Sequence, residues 1–175
     1  MLIPRLSQAS EAMAACLRGV GYRAESLGVP DREDLRAGRR LASGKECIPA
    51  LLVLGSVLQF FKNNSPDKGE DIFVVFVPST LGPCRTGQYH VFFDRLFEDM
   101  GWENVALLVA NSENSYRELG PTFNRDVWRG MVLGDYFADI RNALQLLARD
   151  PEAAQALFEA VWQDVMDAFL AGPDE

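Results

Sequence analysis

The first regular pattern in the chain is a set of apolar residues at helical spacing. It predicts a helix from Ser7 to Val20, with glycines near its end as stop signals. A short strand is predicted next, from Tyr22 to Leu27. The segment from Gly28 to Glu46 is polar and rich in Asp, Arg and Gly, so it is predicted to be a loop.

The middle of the chain alternates helical and strand-like patterns. Helices are predicted from Pro49 to Phe61 and from Tyr89 to Met100. Buried strands are predicted from Ile72 to Val77 and from Asn104 to Ala110. The first of these runs has no alternation of apolar and polar residues, which is typical of a strand covered on both faces. Alternating strands and helices predict an α/β fold, with a parallel sheet and flanking helices.

The last third of the chain is predicted to be helical. Its two helices run from Arg125 to Ala148 and from Pro151 to Ala171, the second beginning with a proline at its first position. We therefore predict an α/β domain at residues 1–122 that carries the cysteine loops, and a helical segment at 123–175 packed on it. An apolar stripe on the first helix is predicted to face the core or a subunit interface: Val132, Tyr136, Ile140 and Leu144.

Composition narrows the class of protein. The 175 residues are 48% hydrophobic, which is enough for one sizeable core. A formal charge of -8 argues against nucleic acid as a partner. The longest apolar stretch, Ile48 to Leu58, is well short of the ~20 residues that span a bilayer, so no membrane partner is expected. An odd number of cysteines and a start without a signal-like region predict a cytoplasmic protein.

Two of the three cysteines lie in Gly/Pro-rich loops that precede helices. Cys47 and Cys84 are separated by one helix and one strand, and right-handed crossovers place both loops at the carboxyl edge of a parallel sheet. The positive end of a helix dipole favours the thiolate, which is the form that binds metal or acts as a nucleophile. Spacing alone is equally compatible with two unrelated loop cysteines. Cys16 lies within a predicted helix and is expected to be buried and dispensable.

The residues around these two cysteines carry a family resemblance. The segments Ser43-Gly-Lys-Glu-Cys-Ile-Pro49 and Pro78-x-x-x-Gly-Pro-Cys-Arg-x-Gly-Gln-Tyr89 resemble activase-related proteins of the 2-hydroxyacyl-CoA dehydratase system. The resemblance extends from about Leu6 to Asp135. It implies an α/β fold whose loop cysteines hold an iron–sulfur cluster, in the anaerobic metabolism of acyl-CoA thioesters.

By this resemblance Cys47 and Cys84 are candidate ligands of a cluster, which we expect to be [4Fe-4S], in a protein of electron transfer or acyl-CoA dehydration. Arg85 is a candidate for offsetting the charge of a thiolate or cluster, or for holding a substrate carboxylate. Its alternative role is a surface salt bridge. Whether the chain is an enzyme is left open, and an acyl-CoA is the implied substrate.

The number of cysteines does not complete such a site. Two thiols cannot fill a four-cysteine cluster, and the chain has no third cysteine in a matching loop and no ATP-binding activase portion. A complete site would need Cys16, a non-thiol ligand or a second chain. The expected partner is therefore a second copy in a homodimer, or a dehydratase-like subunit. Two alternatives stay open: a cluster-less assembly subunit, and a redox protein in which Cys47 and Cys84 form a reversible disulfide.

Overall fold

The fold is α/β, as predicted, with a parallel sheet and a helical C-terminal region. A computed structural model describes residues 1–66, 71–110 and 121–171. The strands are β1 (Leu2–Ile3), β2 (Glu25–Ser26), β3 (Phe73–Pro78) and β4 (Val105–Ala110), and they form one parallel sheet in the order β2-β1-β3-β4. The helices are α1 (Ala9–Gly19), α2 (Arg32–Leu41), α3 (Ile48–Asn63), α4 (Tyr89–Asp99), α5 (Pro121–Leu147) and α6 (Pro151–Ala171), and a 3₁₀ helix (Arg85–Gln88) precedes α4.

The chain divides into two compact units. The sheet unit comprises Met1–Leu6 and Glu25–Arg117, and the helical unit comprises Ser7–Ala24 and Glu118–Glu175. This division differs from the linear boundary between residues 122 and 123 that the sequence predicts, because α1 packs with α5 and α6. An amphipathic helix has the same apolar pattern whether it covers a sheet or other helices, so the pattern of α1 does not reveal its neighbours.

The core of the sheet unit lies between one face of the sheet and helices α3 and α4. Val75 and Val77 of β3 form one buried cluster with Leu54 of α3 and Phe93 of α4. Helix α3 is apolar over most of its surface, as expected of a helix with little contact with water. Because α3 leads into β3 and α4 follows it, both helices begin at the carboxyl edge of β3.

Helix α2 is a correction to the sequence analysis, which predicts a loop there. Asp31 and Asp34 form a capping box at its start. The Asp31 carboxylate accepts a hydrogen bond from the Asp34 backbone N–H at 3.1 Å, and the Asp34 carboxylate accepts one from the Asp31 N–H at 2.8 Å. These bonds satisfy backbone donors that the first helical turn leaves free. The helix is strongly polar, which is why hydrophobic periodicity does not reveal it.

Glycines let α2 and α3 pack in close contact. A Cβ atom on Gly38 would lie 2.0 Å from the backbone oxygen of Leu51, and one on Gly55 would lie 1.8 Å from that of Asp34. Asp34, near the start of α2, thus contacts Gly55 of α3, whereas Gly38, farther along α2, contacts the earlier residue Leu51. The two helices therefore run antiparallel. The backbones touch because neither glycine has a side chain.

The helical unit is built on the packing of α1 against α5 and α6. Ala12 and Ala15 of α1 are buried in one cluster with Trp162 of α6. The predicted stripe on α5 is divided, since Leu144 packs against this cluster whereas the other three side chains are exposed: Val132, Tyr136 and Ile140. Within the described ranges, no helix combines the length and the apolar character needed to cross a membrane.

Candidate functional site

The two loop cysteines stand at the starts of helices in the sheet unit. Cys47 is the N-cap of α3, with an extended backbone and a carbonyl that accepts from the Leu51 N–H at 3.3 Å. Pro49 lies in the first turn of α3, where a missing N–H costs nothing. Cys84 is the N-cap of the 3₁₀ helix that leads into α4. Both loops thus belong to the carboxyl edge of β3.

Two contacts join these loops. The Cys47 sulfur lies 2.8 Å from the Tyr89 hydroxyl at the start of α4. The Arg85 guanidinium donates a hydrogen bond to the backbone carbonyl of Lys45. Cys47 and Tyr89 are 42 positions apart in the chain, so the contact depends on the crossover through β3. The fold therefore brings Cys47 and Arg85 into one region, as the sequence predicts for the two loops.

Tyr89 contacts the Cys47 sulfur, and charge on both thiols affects its hydroxyl. Its side chain is only 5% exposed and packs in the core of the sheet unit. Burial, followed by the hydrogen bond to Cys47, raises the pKa of Tyr89 to about 12. Negative charge on Cys47 and on Cys84 raises it further, whereas a hydrogen bond with Thr86 acts in the opposite direction. The hydroxyl therefore stays protonated at neutral pH and can donate to sulfur.

Cys84 is the accessible thiol of the site. Its side chain is exposed, and its sulfur lies 3.1 Å from the Thr86 hydroxyl. Hydrogen bonds from the Thr86 side chain, and then from the Thr86 backbone N–H, lower the pKa of Cys84 below its ordinary value of 9.0. A thiol with these properties is a better metal ligand and nucleophile than an unperturbed cysteine.

Glu46 fixes the loop that precedes Cys47. Its carboxylate accepts hydrogen bonds from the Ser43 hydroxyl at 2.9 Å and from the N–H groups of Gly44 at 3.0 Å and Lys45 at 3.1 Å. Hydrogen bonding, first from its own backbone N–H and then from Ser43 and Lys45, lowers the pKa of Glu46 to about 2. Gly44 has a φ of 89°, which other residues rarely adopt. The loop therefore has a defined shape.

A cavity of about 360 Å³ opens beside Cys47. Its lining carries charge of both signs, and the rest of it is mostly apolar. The charged residues are Lys45, Glu46 and Arg85, and the apolar surface comes mainly from Ala50, Tyr89 and Phe92. Cys84 does not line it. A mostly apolar cavity with a few polar groups is typical of a small-molecule site, and its volume lies near the lower end of the usual range of ~300 to 1,000 Å³.

The two loops contribute two thiols, Cys47 and Cys84, as possible metal ligands. Two thiols and a nearby guanidinium suit a soft, negatively charged metal centre. Within residues 1–66, 71–110 and 121–171, no three His, Cys, Asp or Glu side chains are grouped so as to hold a metal ion. Cys16 is 4% exposed in the helical unit, and its pKa is raised to about 12 by burial and then by the Asp126 carboxylate. A protonated thiol does not bind metal, so Cys16 is a poor candidate for a third ligand.

Three polar residues of the site were not predicted to take part in it, although each lies within one of the two segments that carry the family resemblance: Glu46, Thr86 and Tyr89. Tyr89 was assigned to the start of a helix and to the segment that carries the family resemblance, without a role in the site. A tyrosine that begins a helix just after a loop cysteine could have been identified as a candidate residue of the site, because a buried hydroxyl needs a hydrogen-bond partner. Comparisons of the chain with protein-family models, with curated proteins and with solved structures find no match.

Proposed function

We propose that the sheet unit binds an iron–sulfur cluster through Cys47 and Cys84, and acts in electron transfer or acyl-CoA dehydration. The family resemblance of the two loops suggests this function. The observation that supports it best is the meeting of the loops around Tyr89, whose hydroxyl lies 2.8 Å from the Cys47 sulfur and is influenced by charge on both thiols. A [4Fe-4S] cluster is the form that we expect.

The residues of the chain would have separate tasks in such a site. Cys47 and Cys84 would hold the cluster as thiolates. Tyr89 would donate a hydrogen bond to the Cys47 sulfur, and hydrogen bonds to ligating sulfurs are one of the means by which a protein sets a cluster potential. Arg85, which is anchored on the Lys45 carbonyl, would offset negative charge. When bound, the cluster supplies one-electron transfer.

A partner is part of the proposal because two thiolates leave a four-iron cluster incompletely coordinated. Cys84 is exposed, so its sulfur is open to a second chain. We propose a second copy of this chain in a homodimer, or a dehydratase-like subunit, as the source of the remaining ligands. Acyl-CoA as substrate and a cytoplasmic location belong to the same proposal.

The exposed thiol favours one alternative function, thiol-disulfide exchange. Cys84 is accessible and its pKa is lowered, as expected of an attacking thiol. The Cys84 thiolate would attack a disulfide of an oxidised partner and release one partner thiolate. Cys47 would then resolve the mixed disulfide, which releases the second partner thiolate. The two cysteines lose two electrons in this reaction, and the partner disulfide gains them.

Metal analysis of anaerobically purified protein separates the two functions. We expect iron and acid-labile sulfide with a broad absorbance near ~400 nm, which is typical of thiolate-bound iron–sulfur clusters. Cys47→Ser and Cys84→Ser should each lose iron, whereas Cys16→Ala should retain it. A colourless protein that oxidises to a Cys47–Cys84 disulfide would favour thiol exchange. Iron retained in both serine variants would overturn the proposed ligands.

The oligomeric state tests the shared site. If a dimer closes the cluster, removal of either thiol should weaken association as well as remove iron, because a bound cluster stabilises only the assembled state. Sedimentation of anaerobic wild-type protein and of both serine variants measures this. A wild-type monomer that retains its full iron would contradict a cluster shared between copies.

A further inference from the structure

A second cavity of the sheet unit lies along α2 and α3, and no cysteine lines it. It has a volume of about 360 Å³, and we refer to it as the α2–α3 groove. Its cationic residues are Arg36, Arg40 and Lys62, and its apolar residues include Leu41 and Leu58. It shares no lining residue with the cavity beside Cys47.

The groove follows from the way these helices pack. Gly38 and Gly55 bring the two backbones into contact on one side of the helix pair. The residues of α2 that line the groove recur at helical spacing on one face, at positions 33, 36, 37, 40 and 41. Side chains from α3 at positions 58, 59 and 62 form the opposite wall. The two walls are therefore held at a fixed separation by backbone packing.

The charge of the groove is opposite to that of the whole chain. Three cations and one carboxylate line it, in a chain with a formal charge of -8. The carboxylate, Glu33, already accepts a hydrogen bond from Arg36. Neither Arg40 nor Lys62 has a carboxylate partner among the residues that the structure describes. Two cations from different helices therefore line one cavity with no carboxylate partner in the part of the chain that the structure describes.

We propose that the α2–α3 groove binds a small organic phosphate. Arg40 and Lys62 supply positive charge from opposite walls, and guanidinium and ammonium groups are the usual ligands of phosphate oxygens. Leu41 and Leu58 supply apolar surface for the organic part of the ligand. The volume lies near the lower end of the ligand-cavity range of ~300 to 1,000 Å³, which suits a small ligand.

Titration calorimetry with phenyl phosphate tests this site in the full chain. Phenyl phosphate carries both a dianionic group and an apolar ring, whereas phenol carries only the ring and inorganic phosphate only the charge. We expect saturable binding of phenyl phosphate at an ionic strength of about 150 mM, where unspecific surface attraction is largely screened. Inorganic phosphate should bind more weakly, and phenol should not bind.

Paired substitutions distinguish binding at the groove from general electrostatic attraction of phosphate to the protein surface. Arg40→Gln with Lys62→Gln should weaken phenyl phosphate binding at least about tenfold, since two charge-assisted contacts are lost. The control pair, Arg32→Gln with Arg39→Gln, removes the same charge from exposed residues of α2 that do not line the groove. It should change affinity less than about twofold.

Equal weakening by both pairs, or no saturable binding by the wild type, would overturn the groove site. Phosphate that binds as tightly as phenyl phosphate would overturn the organic part of the ligand assignment. Cys47→Ser protein should bind phenyl phosphate like the wild type, because Cys47 does not line the groove. Failure of the cluster proposal would therefore leave this result unchanged.

Discussion

Cysteine has opposite surroundings in the two units of this chain. In the sheet unit Cys84 is exposed at the start of a 3₁₀ helix, and hydrogen bonds from Thr86 lower its pKa. In the helical unit Cys16 is buried inside α1, and burial raises its pKa to about 12. Hydrogen-bond donors favour the thiolate, and an apolar interior favours the protonated thiol. The surroundings of each thiol thus decide whether it can act as a thiolate at neutral pH.

The largest predicted effect is a difference in thiol reactivity. Because the pKa of Cys84 is lowered and that of Cys16 is about 12, the thiolate fraction at neutral pH differs at least about 1,000-fold. Burial of Cys16 adds to this difference. We expect iodoacetamide to alkylate native Cys84 at least about 1,000 times faster than Cys16, as measured by peptide mass spectrometry.

Unfolding provides the control for this measurement. In denaturant the two thiols should react at similar rates, because both lose their native surroundings. Rapid alkylation of Cys16 in the native protein would contradict its burial and would remove the contrast between the units.

The second prediction concerns the glycines that pack helices in each unit. A Cβ on Gly55 would lie 1.8 Å from a backbone oxygen of Asp34, whereas one on Gly130 would lie 2.8 Å from the Ala12 side chain. Gly55→Ala should therefore destabilise the protein by about 3 kcal/mol or more, and Gly130→Ala by about 1 kcal/mol. Urea unfolding of the reduced protein measures both.

Gly28→Ala is the matched control, because a Cβ there meets nothing within 4 Å. It should leave stability unchanged or raise it by a few tenths of a kcal/mol, through the lower entropy of the unfolded chain. If Gly130→Ala were more damaging than Gly55→Ala, the helical unit would be the one with less tolerance in its packing.

The sequence predicted the parts of the fold that depend on apolar patterns. The helices that became α3 and α4, and the strands that became β3 and β4, lie close to their predicted positions. The apolar pattern did not predict α2. This helix begins with a polar capping box and packs closely through Gly38, and neither feature produces an apolar stripe. It also gave no sign of β1, which has two residues and is recognisable only by its pairing with Glu25–Ser26 and Val75.

The candidate site was predictable in its position but not in its contacts. The crossover rule places both cysteine loops at one edge of the sheet, which needs only the order of the elements. The contact between Cys47 and Tyr89 depends on how the α3 and α4 starts approach each other, and no local pattern carries that information. The hydrogen bonds of Glu46 with Ser43 and Gly44 are local in sequence. The Glu46 carboxylate was nevertheless not identified from the sequence as a group that shapes the loop.

The third prediction tests the burial of Cys16 through alkaline stability. Its pKa is about 12 in the folded protein and ordinarily 9.0, so above pH 9 the unfolded chain loses a proton that the native protein keeps. Unfolding is then favoured as pH rises. Between pH 8 and pH 10 the wild type should lose about 1.4 kcal/mol more stability than Cys16→Ala, in which this titration is absent.

Cys84→Ser is the control with the opposite sign. The pKa of Cys84 is lowered in the folded protein, so its ionisation favours the native state as pH rises towards 9.0. Its removal should make the alkaline loss of stability steeper or leave it unchanged. A flatter profile for Cys84→Ser than for Cys16→Ala would reverse the assignment of the two thiols.

The smallest predicted effect concerns Cys47, which is half-buried, whereas Cys16 is buried and Cys84 is exposed. Tyr89→Phe keeps the ring that packs near Phe93, with ring centroids 6.0 Å apart, and removes the hydroxyl that contacts the Cys47 sulfur. The loss of its hydrogen bonds with Cys47 and Thr86 should cost about 1 kcal/mol in total in urea unfolding. Tyr22→Phe, at an exposed tyrosine of the helical unit, should cost nothing measurable.

A double-mutant cycle assigns this cost to the sulfur contact. If the Tyr89 hydroxyl acts mainly through Cys47, then Tyr89→Phe should have a smaller effect in a Cys47→Ala background, where only the hydrogen bond with Thr86 is left to lose, and the coupling energy should be at least about 0.5 kcal/mol. Additive effects would mean that the two side chains stabilise the fold independently. In that case the hydroxyl would no longer link the cysteine loops, and Cys47 would resemble Cys16 as a mainly packed side chain.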